Sequence, residues 1–220
     1  MVAVRGVLEA YRARYRALTS ETKGVILLFR NRGPGAGTSL DHRHSQIVAT
    51  PVVPIQVRHR FEVAMQHHND LGTCLYLDIL DRELRDGRRI VLETEEFVAF
   101  QPFASAVAHE TWIMPRWHQA SFGDATDAAL DALAPALRSV LHGLSNALGD
   151  PDYNAIVYSA PVGDEQREYF IWHIRIVPRL ATPAGFELGT GIAVNPTCPE
   201  ATALLLRAAI KQRHRPAHRR

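Results

Sequence analysis

One order of elements occurs twice in this chain. An amphipathic helix is followed by an apolar strand, a break, and a strand that carries a histidine. The first copy begins with Val4, Leu8, Tyr11, Tyr15 and Leu18 at helical spacing between arginines. The apolar run GVILLFRN (24–31) follows, then the turn GPGAG (33–37) and a strand over 39–49. The second copy has a helix over 127–148, with Leu130, Leu133, Leu137, Val140, Leu141 and Leu144 on one face. Strands over 154–159 and 169–177 complete it. A unit repeated in this way cannot bury its apolar face alone, so the two copies are expected to pack together.

Between the copies, 58–71 reads as a helix, 74–80 as a short apolar link, and 81–87 as charged and weakly helical. Residues 89–93 and 97–101 read as a hairpin around 94–96, and 110–115 as a further strand. A last helix is expected over 201–210. Strands in runs, with helices between, predict an α+β fold with an antiparallel sheet.

Composition narrows the class. With 46% hydrophobic and 22% charged residues, the chain suits a globular core rather than a disordered or fibrous protein. A net charge of +2 gives no general argument for nucleic acid. The basic excess is local, in KQRHRPAHRR (211–220), which is read as a solvated, disordered tail. Two cysteines, Cys74 and Cys198, make no disulfide framework and suit a reducing cytoplasm. No apolar run approaches a membrane span, and the amino terminus has no signal-peptide core.

The chemistry concentrates in NRGPGAGTSLDHRHSQ (31–46). Alternation along a strand puts His42, His44 and Gln46 on one face. The glycine-rich turn before them is expected to bring backbone N–H groups close to phosphate oxygens. A neutral imidazole facing a polarised phosphate is a competent nucleophile, and Gln46 and Ser39 can donate to phosphoryl oxygens. A bare H-x-H is more simply a pair of surface histidines, so the whole string carries the argument.

That string resembles the active-site signature of the galactose-1-phosphate uridylyltransferase family, in the histidine-triad superfamily. Asn31, Gly33, Gly37, Ser39, His42, His44 and Gln46 fall in place, and Arg43 stands where the family has proline. ETWIMPRWHQASF (110–122) and AGFELGTGIAVNP (184–196) resemble later family motifs, and the nearest branch is bacterial and plant-like. The resemblance implies a histidine-triad-like fold and a ping-pong nucleotidyl transfer. His44 is the nucleophile, passing through a uridylyl-histidine, and Gln46 holds the phosphoryl group. Asn31, Gly37 and Ser39 match nucleotide-contacting positions. The implied substrates are a nucleotide sugar and a hexose 1-phosphate, as in UDP-glucose and galactose metabolism. An adenylyl-transferring phosphorylase acting on ADP-glucose or a dinucleoside polyphosphate is the alternative. Because the strand 24–31 and the helix 4–18 lack the upstream strands that cover them in the family, a homodimer is expected, with residues 1–54 of one chain packing on another, or else aggregation. Composition gives neither nucleic acid nor membrane as partner.

The resemblance also implies zinc, and here the chain departs from the pattern. His42 matches a ligand of a first zinc whose other ligands lie upstream in the family. A second zinc would use a C-x-x-C pair, a later histidine and a histidine on the last histidine strand. This chain has Cys74, Leu77, His118 and Ile171 there, so the site is eroded and zinc is expected to be weak or absent. On the second histidine strand, His173 is expected to pack rather than react. The organisation expected is the end of a first half-domain (1–54), a second half-domain (55–210) and the tail (211–220). Set against the family, the chain begins inside the first half. A catalytically dead remnant acting as a fold or dimer partner is therefore the reading from a different class.

Overall fold

A computed structural model of the chain describes residues 2–38 and 44–212. Helix α1 (Val2–Thr19) leads into β1 (Val25–Arg32), and β2 (Gln46–Thr50) follows a single 3-10 turn at 34–36. Next come α2 (Ile55–Leu71), α3 (Leu75–Asp86), the hairpin of β3 (Ile90–Glu93) and β4 (Phe97–Phe100), and β5 (Thr111–Pro115). The chain then forms α4 (Asp127–Leu148), β6 (Tyr153–Tyr158), β7 (His173–Pro178), α5 (Gly185–Thr190) and α6 (Pro199–Lys211).

All seven strands lie in one antiparallel sheet, in the order β2-β1-β6-β7-β5-β4-β3. The α+β antiparallel architecture expected from the sequence is the one observed. The two repeated units meet back to back, because β1 of the first pairs with β6 of the second. The segments read as 1–54 and 55–210 thus share a single sheet.

Registers sort the side chains by face. Leu28 and Arg30 on β1 face the same way as Val157 and Ala155 on β6, toward α1 and α4. That layer holds Leu8, Tyr15, Leu130, Leu133, Trp172 and Leu206, all buried. The opposite face is covered over β7, β5 and β4 by α2 and α3, which bring Phe61, Ala64, Tyr76 and Leu80 onto Phe100, Met114 and Phe170. Burying side chains of this size supplies about 1.5–3 kcal/mol each, which makes these two layers the main source of stability. Over β1 and β2 the same face carries Phe29, Asn31 and Gln46, all at least partly exposed. The sheet is therefore open where the signature lies.

Several elements differ from the sequence reading, each for a physical reason. The link at 74–80 and the charged stretch at 81–87 are one helix, α3, ended by Gly87 in the left-handed conformation (φ 69°). Tyr76, Leu80 and Glu83 form its buried face. The pattern looked weak because Glu83 occupies an apolar position. It is paired there with Arg89 (2.7 Å), which also meets Glu200 of α6 at 2.5 Å, so both charges are compensated. Helix α5 was not anticipated, since its six residues carry no buried side chain. The second histidine strand starts only at His173, because Trp172 N–H leaves the ladder and donates to the Gln119 carbonyl at 3.0 Å. The expected strand over 39–49 is regular from Gln46, with 39–43 outside the described residues. Lys211, read as tail, closes α6, and 213–220 lie outside the described residues. No helix among the described residues is long and apolar enough to cross a membrane.

Candidate active site

The site is built on β1, and β6 holds it in place. Asn31 and Asn154 stand directly opposite each other in the β1–β6 ladder, on the open face. Asn154 Nδ2 donates to Asn31 Oδ1 at 2.8 Å and to the Ala36 carbonyl at 2.9 Å. Two residues earlier, Asp152 takes the Gly35 N–H onto Oδ2 at 2.6 Å. The glycine turn is shaped around that carboxylate. Gly33 has φ 83°, and a Cβ on it would fall 1.5 Å from Asp152 Oδ1. Gly37, also left-handed at φ 80°, closes the turn with its N–H on the Pro34 carbonyl.

This corrects the expected phosphate cradle. The N–H groups of Ala36, Gly37 and Thr38 bond to the carbonyls of Gly33 and Pro34, and that of Gly35 bonds to Asp152. None of these four is left pointing outward to hold a phosphate. The glycines serve the shape of the turn and its close approach to β6.

The strand that follows is aimed by Ser45. Its hydroxyl is hydrogen-bonded to that of Tyr11 on α1, so Ser45 faces the helix layer. Alternation then directs its neighbours His44 and Gln46 to the other face, with Asn31. Phe29 pairs with Gln46, and one more step of that register would set His44 opposite Asn31. The regular ladder stops at Gln46, and His44 is half-buried. Asn31, Gly37, His44 and Gln46 are thus parts of one hairpin-like unit. Ser39 and His42 lie outside the described residues.

The corresponding place in the second unit is sealed. His173 is buried, stacked between Trp112 (ring centroids 4.8 Å apart) and Tyr158 (5.3 Å), with Tyr76 and Phe170 also against it. Its Nδ1–H donates to the Ile171 carbonyl at 3.0 Å. Burial pushes its pKa down from 6.5 to about 4, so the ring is neutral. Beside it, Arg175 pairs with buried Glu110, with Nη2 2.9 Å from Oε2 and Nε 2.7 Å from Oε1. Glu110 also accepts from the Trp112 indole at 2.8 Å. His173 is a packing residue here.

Of the residues proposed for metal, Cys74 and His118 are described and His42 is not. Cys74 is buried in the apolar cluster with Phe61, Tyr76 and Leu80, and burial raises its thiol pKa, which disfavours the thiolate that zinc needs. Ile171 and Leu77 belong to the same cluster. His118 is half-buried, with Nε2 unpartnered among the described residues. No three His, Cys, Asp or Glu come together as metal ligands among the described residues. Cys74, Leu77, His118 and Ile171 thus offer a zinc ion at most two ligands.

Asp152 and Asn154 were missed as functional candidates. A signal existed for Asn154: it is the only amide in the otherwise apolar strand YNAIVY.

Comparison with known proteins bears on the fold and the family. No protein-family model matches the chain. An ADP-glucose phosphorylase of Arabidopsis thaliana is 32% identical over 209 residues, 94% of this chain and 58% of the relative. A galactose-1-phosphate uridylyltransferase of Thermotoga maritima is 29% identical over 191 residues, covering 83% of this chain and 59% of the relative. The chain thus spans a little over half the length of these relatives. A solved uridylyltransferase mutant superposes with a TM-score of 0.88 at 30% identity, over 94% of this chain and 70% of that one. The fold is the α+β, antiparallel-sheet fold of that uridylyltransferase. Within that fold class, the chain belongs to the galactose-1-phosphate uridylyltransferase family.

The neutral state of His173 makes a prediction. Unfolded, it takes up a proton as pH falls below 6.5; folded, it does so only near 4. Its contribution to stability is therefore complete above about pH 6.5 and lost as pH falls toward 4, by about 3 kcal/mol in all. Denaturant unfolding at several pH values should show wild type losing about that much more than His173→Gln between about pH 7 and 4. Parallel curves for the two proteins would contradict the burial argument.

Proposed function

We propose that this chain carries the nucleophile of a nucleotidyltransferase that acts on a nucleotide sugar. The supporting observation is the unit formed by Asn31, Gly37, His44 and Gln46 on the open face of a family-type sheet. In this reading an imidazole nitrogen of His44 attacks the α-phosphorus. The bond from that phosphorus to the bridging oxygen breaks, and the hexose 1-phosphate leaves with the electron pair. A second sugar phosphate, or inorganic phosphate, then attacks the same phosphorus through oxygen, and His44 is released. Gln46 steadies the transferred phosphoryl group by donating to it. Transfer of uridylyl between UDP-glucose and a hexose 1-phosphate is the first form of this reading. The 32%-identical phosphorylase relative favours a second form, in which ADP-glucose is the donor. The substrates are small and the setting cytoplasmic.

His44→Asn should abolish nucleotidyl exchange, by at least about a thousandfold, because in this reading the covalent intermediate forms on its imidazole. Exchange is assayed with UDP-glucose and with ADP-glucose, on the protein with whatever sequence its gene encodes upstream. Turnover retained in the variant contradicts the assignment of His44. Wild-type protein that exchanges neither donor favours the catalytically dead fold or dimer partner.

For metal, the reading is that the chain holds substantially less than one zinc per protomer. Apolar side chains fill two of the four positions of the second site, and two ligands do not close a tetrahedron. Elemental analysis after dialysis checks this, and one firmly held zinc per chain would overturn it.

Homodimerisation is part of the same proposal. The arm 180–194 exposes Phe186 (56%), Leu188 (76%), Ile192 (57%) and Val194 (52%), and the edge strand β2 exposes Val48 (46%). Exposed apolar side chains and an edge strand each favour association. Light scattering at micromolar concentration should return twice the monomer mass, and Leu188→Asp should lower it. A monodisperse monomer contradicts the dimer.

A further inference from the structure

The orientation of the Asn31 amide is fixed from across the sheet. Asn154 faces two acceptor positions at once, the Ala36 carbonyl (2.9 Å) and the side chain of Asn31 (2.8 Å). A backbone carbonyl only accepts, so the Asn154 atom turned to Ala36 is its NH2 group. The same NH2 group meets Asn31, which must therefore present its carbonyl oxygen there. The Asn31 NH2 is left facing away from Asn154, on the open side of β1 that also carries Gln46.

We propose that Asn154 is a positioning residue for the transfer reaction: by accepting no alternative orientation, it makes Asn31 a donor toward a phosphate oxygen of the bound nucleotide. The proposal rests on the nucleotidyl-transfer reading given above. A phosphate oxygen only accepts, so a correctly set amide meets it with N–H, and a flipped amide would set a carbonyl oxygen against an anion. The Asn154 donor also ties the Ala36 carbonyl, and Asp152 ties the Gly35 N–H. Two residues at the start of β6 thus fix the amide and the turn together. The second unit thereby takes part in a site whose signature belongs wholly to the first.

Asn154→Asp tests this, because it keeps the shape and turns the donor into an acceptor. Facing a carboxylate, Asn31 would reverse and bring its NH2 to Asp, away from the ligand. Calorimetry with UDP-glucose and ADP-glucose should show affinity for the better donor falling about tenfold or more, in line with one lost hydrogen bond to a charged group. Asn154→Ala removes the donor without adding charge and should give a smaller loss; it also serves if the aspartate variant does not fold. Side-chain amide signals of Asn31 in 15N–1H spectra supply a readout independent of activity. They should move in both variants while the backbone signals of β7 stay in place. Affinity within twofold of wild type in both variants overturns the proposal. If wild type binds neither donor, the transfer reading itself fails. The proposal falls with it, whereas unmoved Asn31 amide signals in variants of a protein that does bind overturn the positioning claim alone.

Discussion

The antiparallel pairing of β1 with β6 is the interaction on which the rest depends. It joins two helix–strand–strand units into one sheet and brings α1 against α4. Arg12 and Arg5 on α1 reach Asp127 at the start of α4 at 2.5 and 3.2 Å, and Arg12 Nη1 donates to the Ala125 carbonyl at 2.8 Å. The partners are partly exposed, so these pairs fix orientation more than they add stability. The stability comes from the apolar layer beneath them, where Leu8 and Tyr15 of α1 join Leu130 and Leu133 of α4.

The same pairing explains why the site is open on one unit and closed on the other. Over β7, helices α2 and α3 bring aromatic rings onto His173, and a buried Arg175–Glu110 pair fills the remaining polar space. Over β1 and β2, Phe29, Asn31 and Gln46 keep contact with solvent. Two strands in equivalent places in the repeat have thus taken opposite fates. One histidine is held neutral in a packed box, and the other lies at the end of an edge strand.

Much of the fold was legible because the periodic segments are long. Residues 127–148 show an unbroken helical stripe, and GVILLFRN between polar ends reads as a buried strand. What misled was local. Glu83 broke the apolar pattern of α3; it is held there by Arg89, which is itself anchored by Glu200 of α6, more than a hundred residues further along the chain. The signature named Asn31, His44 and Gln46 directly. It gave no hint that the turn N–H groups are spent internally, since Asp152, which takes one of them, lies more than a hundred residues away. Periodicity reports which face a side chain occupies; it does not report what comes to meet it from a remote strand.

Native-state amide hydrogen exchange measures the joining of the first unit to the second directly. If β6 organises the site, the N–H groups of β1 that pair with β6 should be protected as strongly as those of β6 with β7, and the Gly35 N–H should lose its protection in Asp152→Ala. Residues 25–38 exchanging freely while 153–178 stay protected would contradict the account.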